Sequence, residues 1–338
     1  MDGGTADASS APLNRETPAA ALQSRGLTPT SEFFVRNHFA MPDLNAARWR
    51  LQVGGLVRRP QSFGLVDLER LPAHTATCTL ECAGNGRALL EPPVAGEQWG
   101  LGAVATAGWT GVRLADLLEG SGVRPEAEEI LFRGADGIER SLTLEAAGEP
   151  PVLLAVAMNG RPLTREHGWP LRVIVPGWYS VADVKWLTEI EVIGHAFQGH
   201  FQAEKYVYEQ ELGGRMVRTP VSRQRVRALI TEPQPAAVAR TGELAVRGLA
   251  WSGSAPIDAV DVSVDGGAWQ PARLEAADDP YCWQAWELVI RLPGPGRCTI
   301  QARATDAAGN TQPKRADWNR LGYGNNAIQE LAIEVLGS

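Results

Sequence analysis

A chain of 338 residues with 44% hydrophobic side chains is long for one domain and comfortable for two, each with a sizeable core. Its net charge of -7, with 32 Lys and Arg in no long basic run, excludes a general nucleic-acid or anionic-membrane binder, so any anion recognition must be local. No apolar stretch approaches the roughly 20 residues that span a bilayer, and four cysteines, at 78, 82, 282 and 298, are too few and too scattered for a disulfide framework.

Residues 1–27, rich in Ala, Ser, Gly and Pro, read as a flexible tail with little to bury. The opening lacks the basic start and apolar middle of a secretory leader, so the expectation is a cytoplasmic protein, or a periplasmic one if a leader has been removed. From residue 28 to about 225, short strand-like runs ("RWRLQVGGLV", "HTATCTLEC", "EEILFRG", "PLRVIVPG", "KWLTEIEVIG") interleave with short helical patterns ("GLVDLERL", "VRLADLLEGSG"). They lack a regular βαβ cadence, which predicts a mixed-sheet α+β domain over 28–227. The proline-bearing stretch 230–242 reads as a boundary. Beyond it, alternating strands separated by turns such as Asp265-Gly266-Gly267 predict an all-β immunoglobulin-like sandwich over 228–338.

The stretch "CTLECAGNGR", residues 78 to 87, carries the chemistry. Alternation puts Ala76, Cys78, Leu80 and Cys82 on one strand face, where a buried cysteine is the ordinary reading. A buried cysteine has no need of the glycines that follow; a ligand presented at a strand end does, because Gly84 and Gly86 let the backbone turn and approach a bound group. Arg87 adds a positive charge that favours thiolate over thiol. Cys78 does not share an ion with Cys82, since four residues of strand span roughly 13 Å at about 3.3 Å per residue. Arg172 sits in an apolar run, "PLRVIVPG", and so either reaches water from an edge strand or meets a buried anionic partner.

"CAGNGR" resembles the signature of the sulfite oxidase family of molybdenum enzymes. So, in the same order, do "FFVRNH" (33–38), "GEQWGLGAVATAGWTGVRLADLL" (96–118), "LLAVAMNGRPLTREHGWPLRVIVPGW" (153–178) and "VKWLTEIEV" (184–192), over most of residues 28–338. The resemblance implies that Cys82 ligates the molybdenum of a molybdopterin cofactor. It also implies that Phe34, Val35, Arg36, Asn37, His38, Asp136, His167, Arg172, Asp183, Val184 and Lys185 hold the pterin and its phosphate. Soft thiolate suits such a metal. Arg36, Arg87, Trp99 and Tyr206 would form the pocket for a small oxyanion, sulfite, with Gln284 standing where the family's sandwich domain supplies another arginine.

The implied activity is oxidation of sulfite to sulfate in a homodimer built on the sandwich. With no haem-attachment motif or haem module, electrons would pass to an external acceptor such as a cytochrome or a small molecule. Nitrate or another S- or N-oxide as substrate is the alternative that Gln284 keeps open. A non-catalytic binding or assembly relative is the second, and Cys82 speaks against it.

Overall fold

The computed structural model describes residues 12–148, 151–277 and 279–337. Two five-stranded sheets build the first unit. One orders Gln61–Phe63, Leu51–Gly55, Leu187–Ile193, Glu129–Gly134 and Glu139–Thr143, with a parallel pairing between Leu51–Gly55 and Leu187–Ile193 and antiparallel pairings elsewhere. The other orders Arg161–Pro162, Leu153–Met158, Val104–Arg113 and His74–Glu81, with Arg172–Ile174 also on Leu153–Met158. Apolar side chains including Leu51, Phe132, Leu154, Val173 and Ile190 share one core. The two helical patterns fold as the short helices Leu65–Glu69 and Leu114–Ser121. Gly122, in left-handed backbone, ends the second, as expected where no Cβ obstructs that conformation.

The second unit is the sandwich. A four-stranded sheet (Arg227–Glu232, Glu243–Trp251, Gln284–Arg291, Arg273–Leu274) faces a five-stranded one (Val238–Arg240, Gln329–Leu336, Gly296–Asp306, Ile257–Val264, Gln270–Pro271). Along Gly296–Asp306 every second residue from Cys298 to Asp306 is buried, the period of a strand with one face on a core. Val246, Val260, Trp286, Ile300 and Leu331 fill the space between the sheets. Cys298 lies in that core, whereas Cys282 is half-buried against a different cluster at the junction of the two units.

Two expectations need correction. The stretch 230–242 does not link the units: it runs from the end of Arg227–Glu232 in one sheet to Val238–Arg240 in the other, inside the sandwich. Nor are residues 12–27 a flexible tail. Asn14–Arg15 pairs with Val35–Arg36, Thr17, Ala21 and Leu22 are buried, and the Glu16 carboxylate accepts the N–H groups of Gly100 at 2.5 Å and Gly102 at 3.3 Å. Leu22 packs with Leu229, Leu249, Trp251 and Trp283. A few well-placed anchors outweigh a composition that looks linker-like. Residues 1–11 of the expected tail lie outside the described residues.

Candidate active site

Cys82 follows directly on the strand His74–Glu81, and its surroundings are set by both faces of that strand. Cys78 and Leu80 are buried as the alternation predicts, but Thr79 and Glu81 are buried too, because the sandwich covers the other face. Glu81 Oε1 accepts from Arg227 Nη1 at 2.9 Å and Asn85 Nδ2 at 3.0 Å, and Oε2 from Trp251 Nε1 at 2.9 Å. A buried carboxylate with three donors is a rigid anchor, and it sits one residue from the cysteine.

The turn after Cys82 needs its glycines. Gly86 has φ of 78°, and a Cβ on Gly84 would fall 2.7 Å from the Arg87 guanidinium. Arg87 is thereby folded back over its own turn. Its Nη1 donates to Glu97 O at 2.9 Å and its Nη2 to Leu321 O at 3.2 Å, with the Tyr323 ring 5.0 Å from the guanidinium carbon. Its Nε is buried with no partner among the described residues, as is Trp99 Nε1.

Two cavities meet at Cys82. The inner one, about 700 Å³ of space between atoms, is lined by Phe34, Arg36, Asn37, His38, Asp136, His167, Arg172, Asp183, Val184 and Lys185, together with Cys82 and Tyr206. The outer one, about 1170 Å³ including its open mouth, is lined by Arg36, His38, Cys82, Arg87, Trp99 and Tyr206, by residues 93–97, by Phe201 and Lys205, and by Trp318, Arg320, Leu321 and Tyr323. Arg36, His38, Cys82 and Tyr206 belong to both.

The inner cavity has the chemistry of a binding site for a large polar group. Arg172 is buried and stacks on Trp109 at 4.9 Å, donating to the carbonyls of His167 at 3.1 Å and Asp183 at 3.4 Å, so it does not reach water from an edge. Lys185 is held by Asn37 Oδ1 and by Glu166 O, the latter at 3.0 Å. Burial drives the Lys185 pKa well below its usual value, and Arg172 adds to this. Two buried polar atoms on this wall, Asn37 Nδ2 and Arg172 Nε, have no partner among the described residues, while the Ser180 hydroxyl interacts with the Asp183 carboxyl. Orphaned buried groups are costly and rare, and a ligand rich in hydrogen-bonding atoms satisfies them. A soft sulfur, a buried guanidinium, a lysine amine and an unpaired amide N–H around one cavity fit a metal-bearing pterin with an anionic tail.

Burial pushes the Cys82 thiol up; the Gly84 N–H, Arg36 and Arg87 oppose it without reversing it. Arg87 thus works against burial without cancelling it, and a metal ion bound at the sulfur would favour the thiolate further. His38 and His167 are both depressed to about 3, mainly by burial, with Arg36 the next contribution at His38 and Arg172 the next cation at His167. Tyr206 Oη lies 2.8 Å from His38 Nε2, and its ring stacks on Tyr323 with centroids 4.6 Å apart. Its backbone is left-handed at φ 45°, an uncommon state for a tyrosine that the stack and the Val221 N–H to Tyr206 O bond at 2.7 Å hold in place.

Two of the expected site residues line neither cavity. Gln284 lines neither cavity: its Oε1 accepts from Ile257 N at 3.1 Å and its Nε2 donates to Glu275 O at 3.1 Å, so it stitches strands of the sandwich. Val35 is buried in the strand paired with Arg15 and does not line the inner cavity. What sequence reasoning missed is the loop between Gly296–Asp306 and Gln329–Leu336, which brings Trp318, Arg320, Leu321 and Tyr323 to the outer cavity. Its signal was "WNRLGYGNN", whose Gly322 and Gly324 both have positive φ and mark a built turn rather than a passive connection.

Residues 38–201 match the oxidoreductase molybdopterin-binding domain, and residues 218–336 match the Mo-co oxidoreductase dimerisation domain. Mitochondrial sulfite oxidase of Mus musculus is 34% identical over 352 residues, covering 96% of this chain. The chain spans 64% of that relative's length. Sulfite oxidase of Gallus gallus is 35% identical over 340 residues, 92% of this chain and 74% of the relative. The crystal structure of the sulfane dehydrogenase SoxCD from Paracoccus pantotrophus superposes with a TM-score of 0.83 at 32% identity, over 91% of this chain and 81% of that one. The chain belongs to the sulfite oxidase family of molybdopterin-dependent oxidoreductases.

Proposed function

We propose that this protein oxidises sulfite to sulfate and passes the two electrons to an external acceptor, a cytochrome or a small molecule, working as a homodimer assembled through its sandwich. The observation that carries the reading is the position of Cys82 as the shared wall of two cavities, one suited to a pterin and one to an oxyanion. When bound, the molybdenum-pterin group supplies the exchangeable oxygen and takes up the electron pair.

In this reading Cys82 holds the metal. Arg172, Lys185, His167 and Asn37 hold the pterin and its phosphate, and Asp136, Asp183 and the adjoining backbone orient it. Arg36 and Arg87 attract the anion with charge-assisted hydrogen bonds. Each terminal nitrogen of Arg87 gives one of its two N–H groups to a backbone carbonyl, which fixes the guanidinium and leaves its other N–H groups, with Trp99 Nε1, as donors held in place. Donors set before the reaction cost no reorganisation as charge shifts onto the new sulfur–oxygen bond. His38 is neutral, so in the tautomer protonated at Nδ1 its Nε2 accepts from the Tyr206 hydroxyl and holds that oxygen in place beside Cys82. Overall, sulfite and water give sulfate, two protons and two electrons.

Reduction of nitrate is a second reading with one observation in its favour: Arg320, the arginine that the sandwich brings to the outer cavity, is tied to Glu209 and so adds little net charge for a dianion. Steady-state turnover of molybdenum-loaded protein with sulfite and ferricyanide, set against nitrate and a reduced dye, separates the two. Sulfite-dependent ferricyanide reduction is the expected result; nitrate reduction without sulfite oxidation overturns it.

A further inference from the structure

The geometry points to an organic sulfinate, R–SO₂⁻, as a substrate class of the outer cavity, with the head beside Cys82 and the R group against the sandwich loop. This rests on the oxidation of sulfur proposed above. The cavity combines two kinds of lining. Guanidinium groups share it with Cys82, and Arg87 Nε and Trp99 Nε1 have no partner among the described residues. Apolar side chains, Val94, Phe201, Leu321 and the ring of Trp318, stand among the charged Glu97, Lys205 and Arg320. Trp318 is 47% exposed, and its indole nitrogen is engaged with Pro92 O at 2.8 Å, which pins a bare aromatic face at the rim.

A four-atom anion occupies roughly 60 Å³, about two waters' worth, in a space of about 1170 Å³ that includes the mouth. Sulfite alone leaves these apolar side chains to water, and an alkyl or aryl group would remove that surface from solvent. Charge is compatible with the same ligand. Arg320 Nε and Nη2 bond Glu209 at 2.9 and 2.8 Å, and Glu97 lines the cavity as well, but Arg36, Arg87 and Lys205 keep it cationic, so a singly charged sulfinate head is attracted as sulfite is. The reaction is R–SO₂⁻ + H₂O → R–SO₃⁻ + 2 H⁺ + 2 e⁻. The sulfur lone pair forms the new S–O bond, the two O–H bonds of water break and release protons to solvent, and two equivalents of a one-electron acceptor such as ferricyanide take the electrons.

The test compares sulfite, methanesulfinate and benzenesulfinate in turnover of the molybdenum-loaded protein with ferricyanide. It adds calorimetric titration of benzenesulfonate and of sulfate, which reads binding without turnover. Expected are a kcat/KM for benzenesulfinate about ten-fold or more above that for methanesulfinate, and benzenesulfonate binding tighter than sulfate by a similar factor. Trp318→Ala narrows both ratios to about two-fold, and Leu321→Arg shifts preference toward sulfite. Sulfite oxidation with no dependence on the R group, and benzenesulfonate binding no better than sulfate, overturns the inference and leaves the function above standing. Preferential benzenesulfonate binding with neither sulfite nor sulfinate oxidised overturns the function and retains the ligand class.

Discussion

Cys82 is where the chemistry of two cavities converges, and substituting its sulfur separates folding from function. Cys82→Ser is expected to keep the fold, since serine fits the same volume, yet to lose turnover by more than the roughly 10 to 100-fold typical of residues behind a metal ligand. Circular dichroism with molybdenum content and sulfite turnover checks this. The two buried histidines predict an acid-side weakness. Both have pKa values of about 3 in the fold against 6.5 when unfolded, so stability is full above 6.5 and is lost as pH falls toward 3. The urea midpoint is expected to drop from pH 7 to 4.5, and a His38→Gln, His167→Gln double variant roughly halves that drop. At this scale the sequence was informative wherever ligand-holding residues cluster in short motifs. It did not disclose the place of Gln284, whose neighbours Ile257 and Glu275 lie 27 and 9 residues away and give no local sign that its amide is already spent.

Among elements, the strand that delivers Cys82 depends on partners from the sandwich. Arg227 and Glu81 form an ion pair with side chains 4% and 2% exposed, so removing one partner strands the other charge in the interior. Arg227→Met is expected to cost about 3–5 kcal/mol, read by thermal or denaturant unfolding, and adding Glu81→Gln recovers part of the loss. The first described strand has the complementary role. Asn14 Oδ1 accepts from Arg36 Nη1 at 3.1 Å, and Asn14 Nδ2 donates to Glu97 Oε2 at 2.9 Å. Asn14→Ala frees one anchor of Arg36, and KM for sulfite is expected to rise about ten-fold with a smaller change in kcat, as for loss of one charged hydrogen bond. Strand alternation made the sandwich readable from Gly296–Asp306, where one face meets a core. It misled at His74–Glu81, where both faces are covered and period two vanishes.

The whole molecule is two units that share one working site. The order of motifs disclosed the family and both units, because each motif is local; the sharing was hidden, because the 318–323 loop reaches its place through the tertiary fold. The match of residues 218–336 to a dimerisation domain leads to an expected sedimentation mass of twice the chain at micromolar concentration. A chain mass would refute the assembly.

One practical outcome follows from Asn14 being bonded both to Arg36 and to Glu97. A bulky group placed beside Asn14 would stand close to Arg36 and Glu97, two residues of the outer cavity. A fluorescent reporter that must not disturb the cavity is therefore better kept off the Asn14–Arg15 strand.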